Sequence, residues 1–288
     1  MDPMIHSQMM RLRMIKLPVF HISELENLEL TKAELRSSLE KGSLIRTARD
    51  WYASSDAPVD LILATRQGVR LTCASAAKYH QIWAPLHSRL HVYMVHCRPE
   101  SVQRSLVVHP IPHLSKWPDY QPIAPLDLTL LHAGRCLPVP EAATLFESAV
   151  NKGKILLDDA LAIIEELPKH RQDQLSRINP LAQSGTETLV RWFLESRRVK
   201  VRAQAEIAGV GHVDILVGES LVIECDSVTY HTDRDQYYRD RHRDQELIRQ
   251  GYLPVHLTWE DVCLRWELTQ QRLEGILATR RHRYLRPN

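Results

Sequence analysis

The chain has 288 residues, 44% apolar and 25% charged, a balance that suits a folded globular protein long enough to bury a large core. No run approaches the roughly 18 consecutive apolar residues of a membrane helix, and the start of the chain lacks the apolar stretch and cleavage site of a secretion signal, so no membrane partner and a cytoplasmic location are expected. The formal charge of +2 neither demands nor excludes nucleic acid, and the five cysteines (Cys73, Cys97, Cys136, Cys225, Cys263), odd in number and without a CxxC, suit reduced thiols better than a disulfide frame or a zinc site.

Taken in chain order, residues 1–98 mix short helical and strand patterns, an α+β region that opens on the basic cluster "RLRMIK". His87 and His91 are four apart, but their segment reads as a turn into a strand and holds no HExxH-type acid, so no zinc site is expected there. Half of the sixteen prolines fall between Pro99 and Pro140, which predicts an irregular connector packed on a domain. Helices return in "EAATLFESAVNKG" and in "LLDDALAIIEELPKH", the latter ending at Pro168. With 99–182 read as connector and helical region, a domain boundary is expected near "INPLAQSG", leaving 183–288 as an α/β domain.

That last region has a readable element order. "SGTETLVRWFLESRR" is a helix with Ser184 at the N-cap and Glu187 three residues on, the capping-box spacing. "VKVRAQAEI" alternates as a half-buried strand, and "HVDILV" and "LVIECDS" are strands joined through Gly218-Glu219-Ser220. A charged helix closed by Gly251, the strand "YLPVHLTW" and a final helix "EDVCLRWELTQQRLEGILATRR" complete it, with a basic tail. A helical crossover before the last strand predicts that it runs parallel to its predecessor, in a mixed β-sheet flanked by helices.

The strands carry unexpected acids. Period-2 alternation puts Val213, Ile215 and Val217 on one face, with His212 and Asp214 on the other. It likewise separates Leu221, Ile223 and Cys225 from Val222, Glu224 and Asp226. A turn centred on Glu219 sets Asp214 across from Glu224, with Cβ atoms about 4.5–5.5 Å apart. Two carboxylates so close repel, and a hard divalent cation, Mg²⁺ or Mn²⁺, reverses the sign. His231, just past the strand, is a candidate base for an attacking water, with Asp226 as its orienting partner or the holder of a water. Glu187 reads either as a helix cap or as an outer acid of the same site.

The pattern D-x9-E-x-D, a following histidine, then "RDRHRDQELIRQGYLPVHLTWEDV" resembles the nuclease domain related to very short patch repair endonucleases, within the restriction-endonuclease-like PD-(D/E)xK superfamily. The resemblance covers about residues 184–280. It implies Asp214 as central metal ligand, the Glu224 side chain or the Cys225 carbonyl as a second, His231 as catalytic histidine and Glu187 as the helix-borne acid. It departs at Asp226, where the wider superfamily carries lysine and the repair endonucleases histidine; the division of labour between Asp226 and His231 stays open. The front of the chain is similar to AbiEi-type antitoxin proteins: "LTKAELRSSLEKGSLIRTARDWYAS" resembles their winged-helix piece, which implies a helix over 31–41, a stop at Gly42 and a basic hairpin ending in an aromatic, and "CASAAKYHQIW" resembles their Ser-Ala-Ala helix. Lys32, Arg36, Lys41, Arg46 and Arg49 are then candidate phosphate contacts, or else a solvated face. Arg239, Arg241 and Arg243 are further candidates on a helix otherwise laced with ion pairs.

The sequence therefore predicts a Mg²⁺- or Mn²⁺-dependent endonuclease acting on DNA, in defence, repair or a toxin–antitoxin setting. The alternative is a DNA-binding, antitoxin-like regulator whose nuclease fold has no turnover. A protein partner or a homodimer stays open.

Overall fold

The computed structural model describes residues 18–94, 106–110, 120–226 and 234–285, with backbone alone for 234–238. The chain is mixed α/β and forms two compact units, one from residues 1–80 and 87–132, the other from 81–86 and 133–288.

In the first unit the strands β1 (Val19–His21), β2 (Leu44–Ala48) and β3 (Trp51–Ser54) form an antiparallel sheet in the order β1-β3-β2. Ahead of the β2–β3 hairpin lies α1 (Lys32–Glu40). Its start is fixed by a full capping box: Thr31 Oγ1 accepts from Glu34 N–H, and the Glu34 carboxylate accepts from Thr31 N–H at 2.9 Å. It ends at Gly42, whose φ of +71° is left-handed and costs a glycine nothing. The expected helix, stop and basic hairpin are all there. Beyond them come α2 (Val59–Arg66), β4 (Arg70–Leu71), α3 (Cys73–Ala77), β5 (Leu90–Tyr93) and β6 (Leu106–His109). The second sheet is β4-β5-β6, with β4 antiparallel and β6 parallel to β5. Trp51, Leu61, Leu71, Val92, Leu106 and Ile123 share its core.

The irregular connector expected between Pro99 and Pro140 contains two regular pieces, β6 and the helix α4 (Leu126–Cys136). The reason is local: "LDLTLLHAGRC" holds no proline, and Pro125 precedes the helix, where a missing N–H costs no internal bond. α4 starts in the first unit and ends in the second.

The second unit contains α5 (Val139–Asn151), α6 (Leu157–Glu165), α7 (Lys169–Leu175), α8 (Gly185–Ser196), β7 (Val201–Ile207), β8 (Gly211–Val217), β9 (Leu221–Asp226), α9 (Arg234–Arg249), β10 (Leu253–Thr258), α10 (Trp259–Cys263) and α11 (Trp266–Ala278). The helices expected before residue 183 thus share one unit with the sheet that follows. Sheet order is β10-β9-β8-β7; β10 pairs parallel with β9 through the α9 crossover, as the sequence predicts, and the other pairs are antiparallel. Gly185 lets α8 begin against Trp83, since a Cβ there would meet the indole ring at 2.0 Å.

Two apolar layers cover the sheet. Ile215, Val217, Leu221, Ile223 and Cys225 pack with Val190, Phe193 and Leu194 of α8 and with Val262 and Leu273. Ala205, Ile207, Leu216 and Val222 pack with Leu247 of α9. Val213 belongs to this second layer, not with Ile215 and Val217 as strict alternation predicts. The alternation breaks because Gln204, in the middle of β7, takes a left-handed φ of +48° and does not pair with Asp214. The single final helix expected after Trp259 is also broken, into α10 and α11. A capping box of Thr258 and Asp261 starts α10, and Thr269 Oγ1 donates to the Asp261 carbonyl at 2.9 Å, closing the corner.

α8 is fastened to α5 by a buried ion pair. Glu147 and Arg191 have side chains 1% and 3% exposed, and the guanidinium bonds the carboxylate directly. Removing one partner of such a pair strands a buried charge, so Glu147→Ala is expected to cost about 3–5 kcal/mol in urea unfolding. The double variant Glu147→Leu/Arg191→Met should recover most of that loss, and a single-variant loss below about 1 kcal/mol would show that the pair does not hold the helices.

Candidate functional site: an acidic cluster at the end of the hairpin

The β8–β9 ladder pairs Val217 with Leu221, Leu216 with Val222 and Ile215 with Ile223. One step further stand Asp214 and Glu224, in the register the sequence predicts. There the backbone pairing gives way to side chains. Glu224 Oε2 accepts from the Asp214 N–H at 3.0 Å, and Asp214 Oδ2 accepts from the Cys225 N–H at 2.8 Å. Each strand thus offers its carboxylate to the other strand's backbone.

Glu187 joins them from the first turn of α8. Ser184 Oγ accepts from the Glu187 N–H at 3.1 Å, so the cap exists, but the carboxylate does not return the bond to Ser184. It accepts instead from the Gln183 N–H at 3.1 Å and from Gln204 Nε2 at 3.0 Å. The same Gln204 amide donates to Asp214 Oδ1 at 3.2 Å, bridging the two acids. Glu187 therefore sits in a capped first turn without closing a capping box, and its carboxylate turns toward Gln204 and Asp214.

The charges are only partly balanced. Burial, and next the Asp214 charge, push the Glu187 carboxyl above its ordinary range. Burial likewise raises Glu224 to about 7, aided by Asp214 and opposed by the Asp214 N–H, Arg243 and His256. Burial drives the Cys225 thiol up, with the surrounding acids acting in the same direction. Facing carboxylates separated only by a cation is not the arrangement found. Arg243 of α9 reaches over with Nη2 2.9 Å from Glu224 Oε1, and the same nitrogen bonds the His212 carbonyl. Of the candidate phosphate-binding arginines, Arg243 is thus tied to the acidic site, while Arg239 and Arg241 are exposed on the same helix.

His256 is a participant that the sequence reading missed. Parallel pairing sets it beside Glu224, and its ring lies between two acids: Nδ1 is 3.1 Å from Asp226 Oδ2 and Nε2 is 3.0 Å from Asp244 Oδ1. The bond to Asp226 raises its pKa to about 9; burial opposes this and Asp244 adds to it. The signal was available: once "YLPVHLTW" is laid parallel to "SLVIECDS", His256 falls beside Glu224. His231 lies outside the described residues. Lys32, Arg36, Lys41, Arg46 and Arg49 are all exposed on α1 and the β2–β3 hairpin of the first unit.

A second set of donors has a different chemistry. Cys73, His91 and His109 of the first unit bring one ligand atom each within 4.8 Å of one another, so the group can hold a metal ion. His91, in the segment where no zinc site is expected, belongs to this group, whereas His87 meets Ser75 Oγ at 3.0 Å. The group's members are scattered from residue 73 to 109, without the short spacings that mark zinc sites in a sequence. No helix among the described residues is long and apolar enough to cross a membrane.

The His256 cluster makes stability depend on pH. Its pKa rises from 6.5 to about 9 on folding, so its contribution is complete below 6.5 and is lost as pH rises through 9. Because 39% of the side chain is exposed, solvent screening keeps this to ~1 kcal/mol or less. In EDTA, thermal melting of the wild type should fall relative to His256→Gln over that window; parallel curves for the two proteins would refute the pairing.

The chain matches no family model, and a search of curated proteins returned no significant match.

Proposed function

We propose that the second unit is a divalent-metal-dependent endonuclease that hydrolyses phosphodiester bonds in DNA, with Asp214 and Glu224 at its centre. One observation carries this reading: Glu187, Asp214, Glu224 and Asp226 gather at one end of the sheet, two of them forced upward in pKa, with Arg243 and His256 the cations bonded to Glu224 and Asp226. The donor set fits Mg²⁺ or Mn²⁺, because hard carboxylate oxygens in charge excess are what such ions bind. Asp214, Glu224 and the Cys225 carbonyl would hold the ion, and Glu187 would act through Gln204. When bound, the ion supplies Lewis-acid polarisation of a phosphodiester.

The chain's own groups do the rest. Asp226, with its side chain 53% exposed and one oxygen held by His256, is placed to take a proton from an attacking water. His256 is charged at neutral pH and stands beside Asp226, where the related nucleases carry their cation; it offsets negative charge developing on the phosphate. Each unit has exposed basic residues of its own for phosphate contacts, Lys32, Arg36, Lys41, Arg46 and Arg49 in the first and Arg239 and Arg241 in the second.

A second reading, a DNA-binding regulator without turnover, is favoured by one contact. Arg243 already neutralises Glu224 at 2.9 Å, where an ion would need that carboxylate.

Purified protein incubated with supercoiled DNA, single-stranded DNA and RNA in Mg²⁺, Mn²⁺ or EDTA decides between them. The expected result is metal-dependent nicking of DNA, lowered by about 100-fold or more in Asp214→Ala. DNA binding without cutting in either metal would establish the regulator, and cleavage of RNA alone would overturn the substrate.

A further inference from the structure

We propose that Cys73, His91 and His109 of the first unit form a structural zinc site, distinct in chemistry from the acidic cluster and independent of the nuclease reading. The geometry starts from the β5–β6 pairing. Tyr93 is the register partner of His109, so His109 lies diagonally across from His91 on the same face of the sheet. Their ring nitrogens, Nδ1 of His91 and Nε2 of His109, face each other at 3.3 Å. A tetrahedral ion with Zn–N bonds of about 2.0–2.1 Å separates two such nitrogens by about 3.3–3.4 Å. Two neutral imidazoles meeting through an ordinary N–H···N bond come closer, near 3.0 Å.

Cys73 approaches from α3. It is fully buried at 0% exposed, and its φ of +50° is the left-handed region, which a non-glycine residue occupies at a cost. A metal–thiolate bond is an interaction strong enough to hold the first residue of a short helix there. His91 and His109 are 6% and 5% exposed, so three ligands lie away from water, as in closed structural sites.

The supporting groups have the roles a metal site requires. His132, one turn before Cys136 on α4, bonds at both nitrogens: Nδ1 to Thr72 Oγ1 at 2.8 Å and Nε2 to the Pro110 carbonyl at 3.0 Å. So held, its ring stacks on His109 with centroids 4.7 Å apart and fixes that ring's plane. Ser75 Oγ accepts from the His91 N–H at 2.9 Å and fixes the strand at the other histidine. Two imidazoles and a thiolate are donors that zinc prefers, and they are poor ligands for Mg²⁺. The ion would tie α3, β5 and β6 together, joining segments distant in the chain.

Full-length protein purified without chelator should carry about one zinc per chain by elemental analysis. Cys73→Ser and His109→Gln should reduce this to below about a tenth, and Asp214→Ala should leave it unchanged. Should those variants fail to fold, the wild type answers by itself. Cobalt exchanged into it should give a thiolate-to-cobalt charge-transfer band with tetrahedral d–d bands, and chelation should lower the melting temperature until zinc is restored. Wild type free of zinc and without the cobalt spectrum, a different metal in its place, or zinc retained equally in Cys73→Ser and His109→Gln would overturn the proposal.

Discussion

Glu147 lies on α5 with its carboxylate almost wholly removed from water, and four donors converge on it: the Asn179 N–H, the Thr188 hydroxyl, the Arg191 guanidinium and the Trp192 indole N–H. Three of these belong to α8. A buried charge tolerates no sliding, because any displacement of the helix leaves unsatisfied groups in a medium of low dielectric. This pin sets α8 against α5, and so fixes the first turn of α8, from which Glu187 reaches Gln204 and shares its amide with Asp214. The geometry of the acidic cluster is therefore inherited from a contact outside it.

Within the cluster, charges are graded along the sheet. Glu187 and Glu224 are buried and their ionisation is resisted, whereas Asp226 and His256 are open to solvent. Arg243 and His256 are the cations in contact, one on each side of the β9 end. A site arranged this way binds cations and repels anions unless a metal intervenes, which is why the nuclease reading and the silent regulator differ by the occupancy of one carboxylate. Cys73, His91 and His109 of the first unit are buried, and their donor atoms are softer than carboxylate oxygens.

Much of the element order was legible in the residues. The β8–β9 hairpin, the parallel return of β10 and the place of Asp214 opposite Glu224 follow from periodicity, turn residues and the handedness of crossovers, all set within a few residues of each other, whereas the helix at 31–41 followed from the resemblance. The helix hidden in the proline-rich stretch was missed because proline content was read over a region, while each proline acts at its own position. Val213 changed faces because alternation assumes an unbroken pleat, and Gln204 breaks it.

By itself the sequence determined the strands, the turn and the acids, since these depend on local spacing and on the cost of repelling charges. Only the tertiary structure decided what meets the acids. Arg243 and His256 reach Glu224 and Asp226 from α9 and β10. Likewise Cys73, His91 and His109 meet through sheet pairing and a short helix, with chain separations that carry no pattern. The physical reason is the same in both cases: partners brought together by packing leave no period in the chain, because their distance is set by the shape of the core and not by the count of residues between them.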